Sequence, residues 1–246
     1  MVCTSNGVDE AHANLPAPHA PSFIGVDKRS GEIRWQIVGP SPRVLHGQWS
    51  SPCLGVVGDK VVAFFGGGDG RLYAVEAATG RELWQFDGNP PEAVQRARNE
   101  HPTLPSRNEI IACPVFDHGR VYVAMGQDPN HGRGRGAVHA VRAESIGRDG
   151  VDKARAIWSY RDLSRAIATP IGHEGLLYVA DLDGLVHCVD SESGARVWAH
   201  DLLAPVWSAL LLADGKLYVG DEDGVVTILD ADRTKQVLGR VEMDAP

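Results

Sequence analysis

The chain lacks the cysteine and charge patterns that mark several common classes of protein. Its four cysteines, Cys3, Cys53, Cys113 and Cys188, are widely spaced and no C-x-x-C occurs, so neither a zinc site nor a thioredoxin-like redox site is expected. Lys and Arg number 24 against 32 Asp and Glu, a net charge of -8. Contact with phosphates needs a basic face, so nucleic acid is not expected as a partner.

Long apolar runs are also scarce. The longest, Leu202–Ala213, is too short to cross a bilayer and contains Pro205, so no membrane span is expected in this segment. The residues after Met1 have neither a basic start nor an apolar stretch, so no signal peptide is expected here. Helical periodicity is equally rare, and only EAVQRARNE at 92–100 favours a short helix.

The chain does contain a repeated phrase. A small residue is followed by Gly six positions later and by Trp ten positions later. The copies are GVDKRSGEIRW at 25–35, AVEAATGRELW at 74–84 and CVDSESGARVW at 188–198, with a worn copy, ILDADRTKQVL, at 228–238. A further copy, from Ala140 to Trp158, is stretched by an insertion. Each phrase follows a pair of shorter apolar segments bounded by Gly, Asp and Pro, which indicates four short strands in each unit.

Four strands in a unit of about 40 residues are typical of a propeller blade. We therefore predict an all-β fold, a β-propeller of four-stranded antiparallel blades of which about four and a half are present. The predicted boundaries are 1–38 for an incomplete first blade, then 45–87, 108–160, 165–201 and 205–240. A propeller closes its ring so that no blade keeps an open edge, so we interpret the chain as a fragment of a longer protein.

The repeated phrase resembles that of the PQQ-repeat propellers, the superfamily of the quinoprotein alcohol dehydrogenases and of BamB, the outer-membrane assembly lipoprotein. The resemblance implies a ring of eight blades and a periplasmic or secreted location. It also implies that the small residue, the Gly and the Trp lock neighbouring blades together. On this sequence those structural positions are Gly31, Trp35, Gly80, Trp84, Trp158, Gly194 and Trp198.

Two loops with the pattern D-x-D-G, at 181–184 and 221–224, raise the question of calcium. Aligned to an EF-hand loop, the first ligand position falls on Val179 in one copy and on Val219 in the other, and neither has a side-chain oxygen. An apolar strand follows each Gly directly. The pattern therefore predicts a tight hairpin whose Gly takes a left-handed conformation, and no metal site is assigned.

Candidate binding residues collect on one rim of the propeller, which we call the loop rim. It gathers the loops between second and third strands and the connections between blades, and long insertions fall there. Trp49 and Trp207 occupy equivalent repeat positions and form either a stacking platform for a flat ligand or plugs of the central channel. The other candidate binding residues are His46, Asn108, Glu109, Gln127, Asp128 and His131.

Three functions remain open from the sequence. The first is a non-catalytic scaffold whose loop rim binds a protein, a peptide or a glycan, with no cofactor and no catalytic residue assigned. The second, implied by the resemblance, is a quinoprotein dehydrogenase that uses PQQ and calcium, although no calcium-binding carboxylate set can be matched here. The third is a hydrolase or lyase that uses His46, Asp128 or His131. We expect the scaffold, because the structural repeat is complete and no catalytic motif is assembled.

Overall fold

Short strands make up nearly all of the regular structure in this computed structural model. It describes residues 1–3, 7, 15–44, 47–89, 108–127, 135–144 and 152–243. Within these ranges the twenty strands are β1 (Val2–Cys3), β2 (Phe23–Val26), β3 (Ile33–Ile37), β4 (Cys53–Val57), β5 (Lys60–Gly66), β6 (Arg71–Glu76), β7 (Glu82–Asp87), β8 (Val115–Asp117), β9 (Arg120–Met125), β10 (Ala137–Arg142), β11 (Asp152–Lys153), β12 (Ala156–Tyr160), β13 (Ile171–His173), β14 (Leu176–Ala180), β15 (Leu185–Asp190), β16 (Arg196–Asp201), β17 (Leu211–Ala213), β18 (Lys216–Gly220), β19 (Val225–Asp230) and β20 (Val237–Glu242).

The strands form five sheets that follow one another along the chain, which we number blades 1 to 5. Blade 1 contains β1–β3, and the other blades are ordered β4-β5-β6-β7, β8-β9-β10-β12, β13-β14-β15-β16 and β17-β18-β19-β20. Within each of these orders the neighbouring strands are antiparallel. The prediction of an all-β partial propeller is confirmed. Among the described residues, no helix is long and apolar enough to span a bilayer.

Successive blades pack face to face through apolar side chains. Successive residues of a strand point to opposite faces of their sheet, and in blade 4 both faces are covered. Tyr178 and Cys188 share a buried cluster with Leu217 and Leu229 of blade 5. Leu177, on the other face, belongs to a cluster shared with blade 3. Because both faces are buried, β14 is apolar at every position instead of alternating between apolar and polar residues.

Four tryptophans of the repeat contact the following blade. Each indole lies across from the small residue of its own blade, as Trp84 pairs with Ala74. The indole N–H then donates to a backbone carbonyl of the next blade. These bonds join Trp35 to Ala77 (3.0 Å), Trp84 to Ala143 (3.0 Å), Trp158 to Ser191 (3.1 Å) and Trp198 to Asp232 (2.9 Å).

Glycine is needed where an indole of the preceding blade lies against the hairpin between third and fourth strands. A Cβ on Gly80 would lie 2.6 Å from the Trp35 ring, and one on Gly194 would lie 2.6 Å from the Trp158 ring. Gly31 differs from its two counterparts, because no described atom lies within 4 Å of such a Cβ. The turn itself favours glycine at this position, since its φ is +76°.

The insertion in blade 3 has a role that the sequence pattern did not predict. Its strand β11 pairs with the outer strand of blade 2 in parallel, Asp152 opposite Trp84 and Lys153 opposite Gln85. The Ala154 N–H extends this ladder by donating to the Gln85 carbonyl at 2.9 Å. Blade 2 thus becomes a five-stranded sheet, and a segment of blade 3 covers an outer edge that would otherwise be open to other strands.

Candidate functional site

The loop rim is held together by backbone hydrogen bonds between its two sets of segments. In blade 4, the Leu182 N–H of the hairpin donates to the Arg165 carbonyl of the entering connection at 2.8 Å. In blade 5, the Glu222 N–H donates to the Pro205 carbonyl at 2.9 Å. Each connection is therefore fixed to the hairpin of the blade that it enters, and side chains from both segments lie on one surface.

The two D-x-D-G loops are the same turn made in successive blades. Asp181 Oδ1 accepts the Leu185 N–H at 3.0 Å, and Asp221 Oδ1 accepts the Val225 N–H at 2.9 Å. The glycines that end the two loops have φ of +97° and +80°, as the hairpin interpretation predicts. A Cβ on Gly184 would also collide with the carbonyl oxygen of Ala204. The first carboxylate of each loop therefore stabilises the turn itself.

Asp181 has a second role that the sequence analysis missed. It is fully buried, and its Oδ2 accepts the Ser164 N–H at 3.0 Å and lies 3.1 Å from His187 Nε2. His187 Nδ1 lies 3.0 Å from the Tyr160 hydroxyl of blade 3. Burial by itself would raise the pKa of Asp181, but the hydrogen bonds from His187, Ser164 and Leu185 lower the pKa of this carboxyl below its usual value. The network joins blades 3 and 4 beneath the loop rim.

Blade 2 carries a similar buried network built from different residues. Asp69 Oδ2 accepts hydrogen bonds from Arg43 Nε at 2.8 Å and from the Tyr73 hydroxyl at 2.7 Å. Arg43 lies in the connection that enters the blade, and its other nitrogen donates to the Tyr73 oxygen at 2.7 Å. Burial and the neighbouring Asp69 charge raise the pKa of Tyr73. As in blade 4, a buried acid of the hairpin holds the entering connection in place.

These networks share a position that can be recognised in the sequence. The residue directly before the small residue of the repeat is polar and buried in blades 2 to 5: Tyr73, His139, His187 and Thr227. Because both faces of the strand are otherwise apolar, a buried polar residue at this position in four of the five copies is the sequence signal for these networks. The pattern of small residue, Gly and Trp does not include this position, so that pattern alone does not predict the networks.

His139 occupies this position in blade 3 and is almost completely buried. Unlike His187, it has no acid partner among the described residues. Its Nδ1 lies 2.8 Å from Ser159 Oγ, and its ring meets Phe86 edge to face at 5.1 Å between centroids. Within the described residues its Nε2 has no hydrogen-bond partner. Burial, helped by the positive charge of Arg161, lowers the pKa of His139 to about 3, so the imidazole is neutral at physiological pH.

The two candidate aromatic residues are both exposed on their connections. Trp49 is 58% exposed and Trp207 is 52% exposed. Trp207 is oriented by its indole N–H, which donates to Glu222 Oε2 of the adjacent hairpin at 3.2 Å. Trp49 folds back over Gly47, where an added Cβ would collide with the indole. Both rings thus stand on the surface at fixed places, in blade 5 and in blade 2.

The remaining candidate residues fall into two groups. Asn108 is tied into the rim, because its side chain donates to the Arg135 carbonyl at 3.0 Å and its N–H donates to Asn89 Oδ1 at 2.8 Å. Glu109 is buried at a bridge to Gly126, and Gln127 is half-buried. The other group, which comprises His46, Asp128 and His131, lies outside the described residues, as does the segment 92–100.

A metal centre would require several ligating side chains to converge. Within the described ranges, no group of three or more His, Cys, Asp and Glu residues could hold a metal ion. Two of the acids that are buried near the loop rim, Asp69 and Asp181, accept hydrogen bonds from protein donors. These two carboxylates therefore stabilise the rim itself.

Comparison with known proteins places the chain in a family. A family model described as outer membrane protein assembly factor BamB matches residues 8–129 and 134–237. The chain belongs to this family of PQQ-repeat propellers. Among solved structures, BamB from Moraxella catarrhalis superposes with a TM-score of 0.63 at 19% identity, over 89% of this chain and 58% of that one. The resemblance stated from the repeat is confirmed.

Other members of the wider PQQ-repeat superfamily are enzymes. A quinohemoprotein alcohol dehydrogenase from Comamonas testosteroni has a TM-score of 0.61 at 14% identity, over 88% of this chain and 39% of that one. The 1-butanol dehydrogenase (cytochrome c) of Thauera butanivorans is 29% identical over 117 residues, 44% of this chain and 17% of the enzyme. At such identities the structures show the fold alone, and the chain spans less than two thirds of each of these relatives.

Proposed function

We propose that this PQQ-repeat chain is a non-catalytic binding scaffold of the bacterial cell envelope, whose loop rim holds a protein, a peptide or a glycan. The observation that carries the proposal is Trp207, a half-exposed aromatic ring whose orientation is fixed by Glu222 at 3.2 Å. An amphipathic ring held in place on the surface binds at little cost in conformational entropy, and such residues are enriched among the anchors of interfaces.

The rest of the rim supports the same function. The buried acid–base groups that most resemble a catalytic arrangement are Asp69, Asp181 and His187. All three are buried, and their hydrogen bonds belong to the networks that attach the connections to the hairpins. Such bonds give a rigid platform, which lowers the entropy that a partner must lose on binding. The envelope location is supported by the family, whose model is described as an outer membrane protein assembly factor.

A selection from a randomised peptide library, with a glycan array alongside, tests the scaffold function. Labelled ligands from either source should bind the native chain, and Trp207→Ala and Trp49→Ala should each weaken binding about tenfold, because truncation of an aromatic anchor costs about 1 to 2 kcal/mol. Ile33→Ala is the matched control, since Ile33 is 59% exposed on blade 1 at the opposite end of the strands. If neither tryptophan affects ligand binding, or if both variants merely unfold, the proposal is wrong.

A quinoprotein dehydrogenase is the second candidate, favoured by the similarity of fold to the quinohemoprotein enzyme. PQQ and calcium would need an aromatic floor and carboxylate ligands. Trp49 and Trp207 supply aromatic surface, but the described residues provide no cluster of three ligands for calcium. The described residues therefore do not fit PQQ together with calcium. Adding PQQ and calcium to the protein and following its absorbance and melting temperature tests this function, and a shift in both would favour it.

A further inference from the structure

The loop rim of blades 4 and 5 forms one continuous surface, which we call the blade 4–5 surface and define as residues 181–184, 201–207 and 221–224. Two backbone hydrogen bonds join its segments. The Leu202 N–H donates to the Gly184 carbonyl at 3.0 Å, and the Glu222 N–H donates to the Pro205 carbonyl at 2.9 Å. Both hairpins are therefore attached to the same connection, and the exposed side chains of all three segments belong to one face.

Two large apolar side chains project from this surface. Leu203 is 81% exposed, and Trp207 is 52% exposed. Leu203 has a φ of +69°, a left-handed conformation that is uncommon for a bulky residue, and its N–H is held by Asp201 Oδ1 at 2.9 Å. Trp207 is held by Glu222. Asp201 of the connection and Glu222 of the blade 5 hairpin thus fix the places at which these apolar groups meet solvent.

The charged side chains of the three segments that form this surface have a single sign. Asp183, Asp201, Glu222 and Asp223 are exposed on the blade 4–5 surface. None of its three segments contains Lys, Arg or His. The corresponding connection into blade 4 differs, because it carries Arg161 and Arg165. A concentration of one charge around apolar groups creates a local field that selects the partner's charge.

We propose that the blade 4–5 surface docks a peptide segment that is basic and apolar, with leucine or aromatic side chains on Leu203 and Trp207 and with Lys or Arg facing the surrounding acids. This deepens the scaffold function and rests on it. Charge complementarity accelerates the encounter and discriminates among partners, whereas like charges brought together at an interface cost several kcal/mol. A neutral apolar peptide lacks that attraction, and an acidic one is repelled.

Three labelled peptides test the proposal by fluorescence anisotropy: a short peptide of lysine, leucine and glycine, and two versions with the lysines replaced by serine or by glutamate. The lysine peptide should bind the native chain at low salt at least about tenfold more tightly than the serine peptide. Its affinity should fall as salt rises, because exposed charges are screened. The glutamate peptide should bind more weakly than either.

Variants then locate the binding site. Trp207→Ala should weaken binding of the lysine peptide about tenfold. The double variant Glu222→Gln/Asp223→Asn should also weaken it about tenfold, while the Gln oxygen still accepts the Trp207 N–H. The matched control is Asp214→Asn/Glu192→Gln, which removes the same charge at the opposite rim, where these side chains are 95% and 86% exposed. The control should leave the affinity unchanged.

The outcomes separate this inference from the scaffold function. Equal binding of all three peptides, an equal loss in the control variant, or binding of the lysine peptide that does not depend on Trp207 would each overturn the basic-peptide proposal. Peptides or glycans selected from the library that depend on Trp207 but carry no basic residues would also overturn it and leave the scaffold function standing. Failure of every ligand to depend on either tryptophan overturns both.

Discussion

His139 makes the stability of this propeller sensitive to mild acid. The imidazole is buried between Phe86 and Ser159 Oγ, and burial lowers the pKa of His139 from 6.5 to about 3. As pH falls below about 6.5, the unfolded chain takes up a proton that the native chain resists. The stabilising contribution is therefore complete above the unfolded pKa and is lost progressively down to the folded pKa.

The size of the effect follows from these two values. Between about pH 7.5 and about pH 5.5, one such histidine should reduce the free energy of unfolding by about 1.4 kcal/mol. His139→Phe and His139→Gln should abolish this part of the loss whatever they do to stability at neutral pH, because neither side chain titrates. Other titrating groups contribute equally to the native chain and to both variants. The difference between the native and the variant dependence of unfolding free energy on pH therefore isolates the contribution of His139.

Urea unfolding across this pH range, followed by tryptophan fluorescence, measures the difference. His19→Gln is the control, because His19 is exposed and its replacement should leave the pH profile close to that of the native chain. If both His139 variants lose stability with the native dependence on pH, then His139 is protonated in the folded protein. The reasoning from its burial would then be wrong.

Three further predictions concern the contacts between and within blades. Trp84→Ala should lower the free energy of unfolding by about 3 to 5 kcal/mol, because the ring is fully buried, whereas Trp84→Phe should lose about 1 kcal/mol with the bond to Ala143; similar urea midpoints for the two would contradict this. Asp181→Asn should cost about 1 to 3 kcal/mol at neutral pH, since it weakens a buried network. The loss should diminish as pH falls below about 4, where the unfolded native-sequence chain takes up a proton that the folded Asp181 carboxyl resists. Ala154→Pro removes the N–H that donates to Gln85 and should hasten proteolysis at β11 while costing only about 1 kcal/mol of stability. An unchanged cleavage rate would show that β11 does not depend on that bond.

The blade repeat could be predicted from the sequence because it depends on short-range spacing. The turn between third and fourth strands needs a residue with positive φ, and the indole needs a small residue opposite it, so both requirements appear at fixed offsets along the chain. The D-x-D-G hairpins were interpretable for the same reason. Asp181 and Asp221 bond the N–H four residues ahead, a local contact that does not depend on the fold.

The buried networks could not be predicted in the same way, because they join residues that are far apart in the sequence. Tyr160 and His187 are 27 residues apart, and Arg43 and Asp69 are 26 apart. Nothing in either sequence neighbourhood indicates that these groups meet. The pairing of β11 with blade 2 is a further case, since an insertion in one blade has no local signal for the edge that it covers.

The amino-acid sequence by itself determined that this protein is a chain of antiparallel blades. The repeated small residue, glycine and tryptophan meet the local requirements of the hairpin turn and of the packing of the indole, and both requirements recur along the chain. It also placed Trp49 and Trp207 at equivalent positions. Only the tertiary structure decided that the connection carrying Leu203 and Trp207 lies between two acidic hairpins. That juxtaposition depends on backbone bonds between segments about 20 residues apart in sequence, such as Leu202 to Gly184, and such bonds form only once the strands have paired.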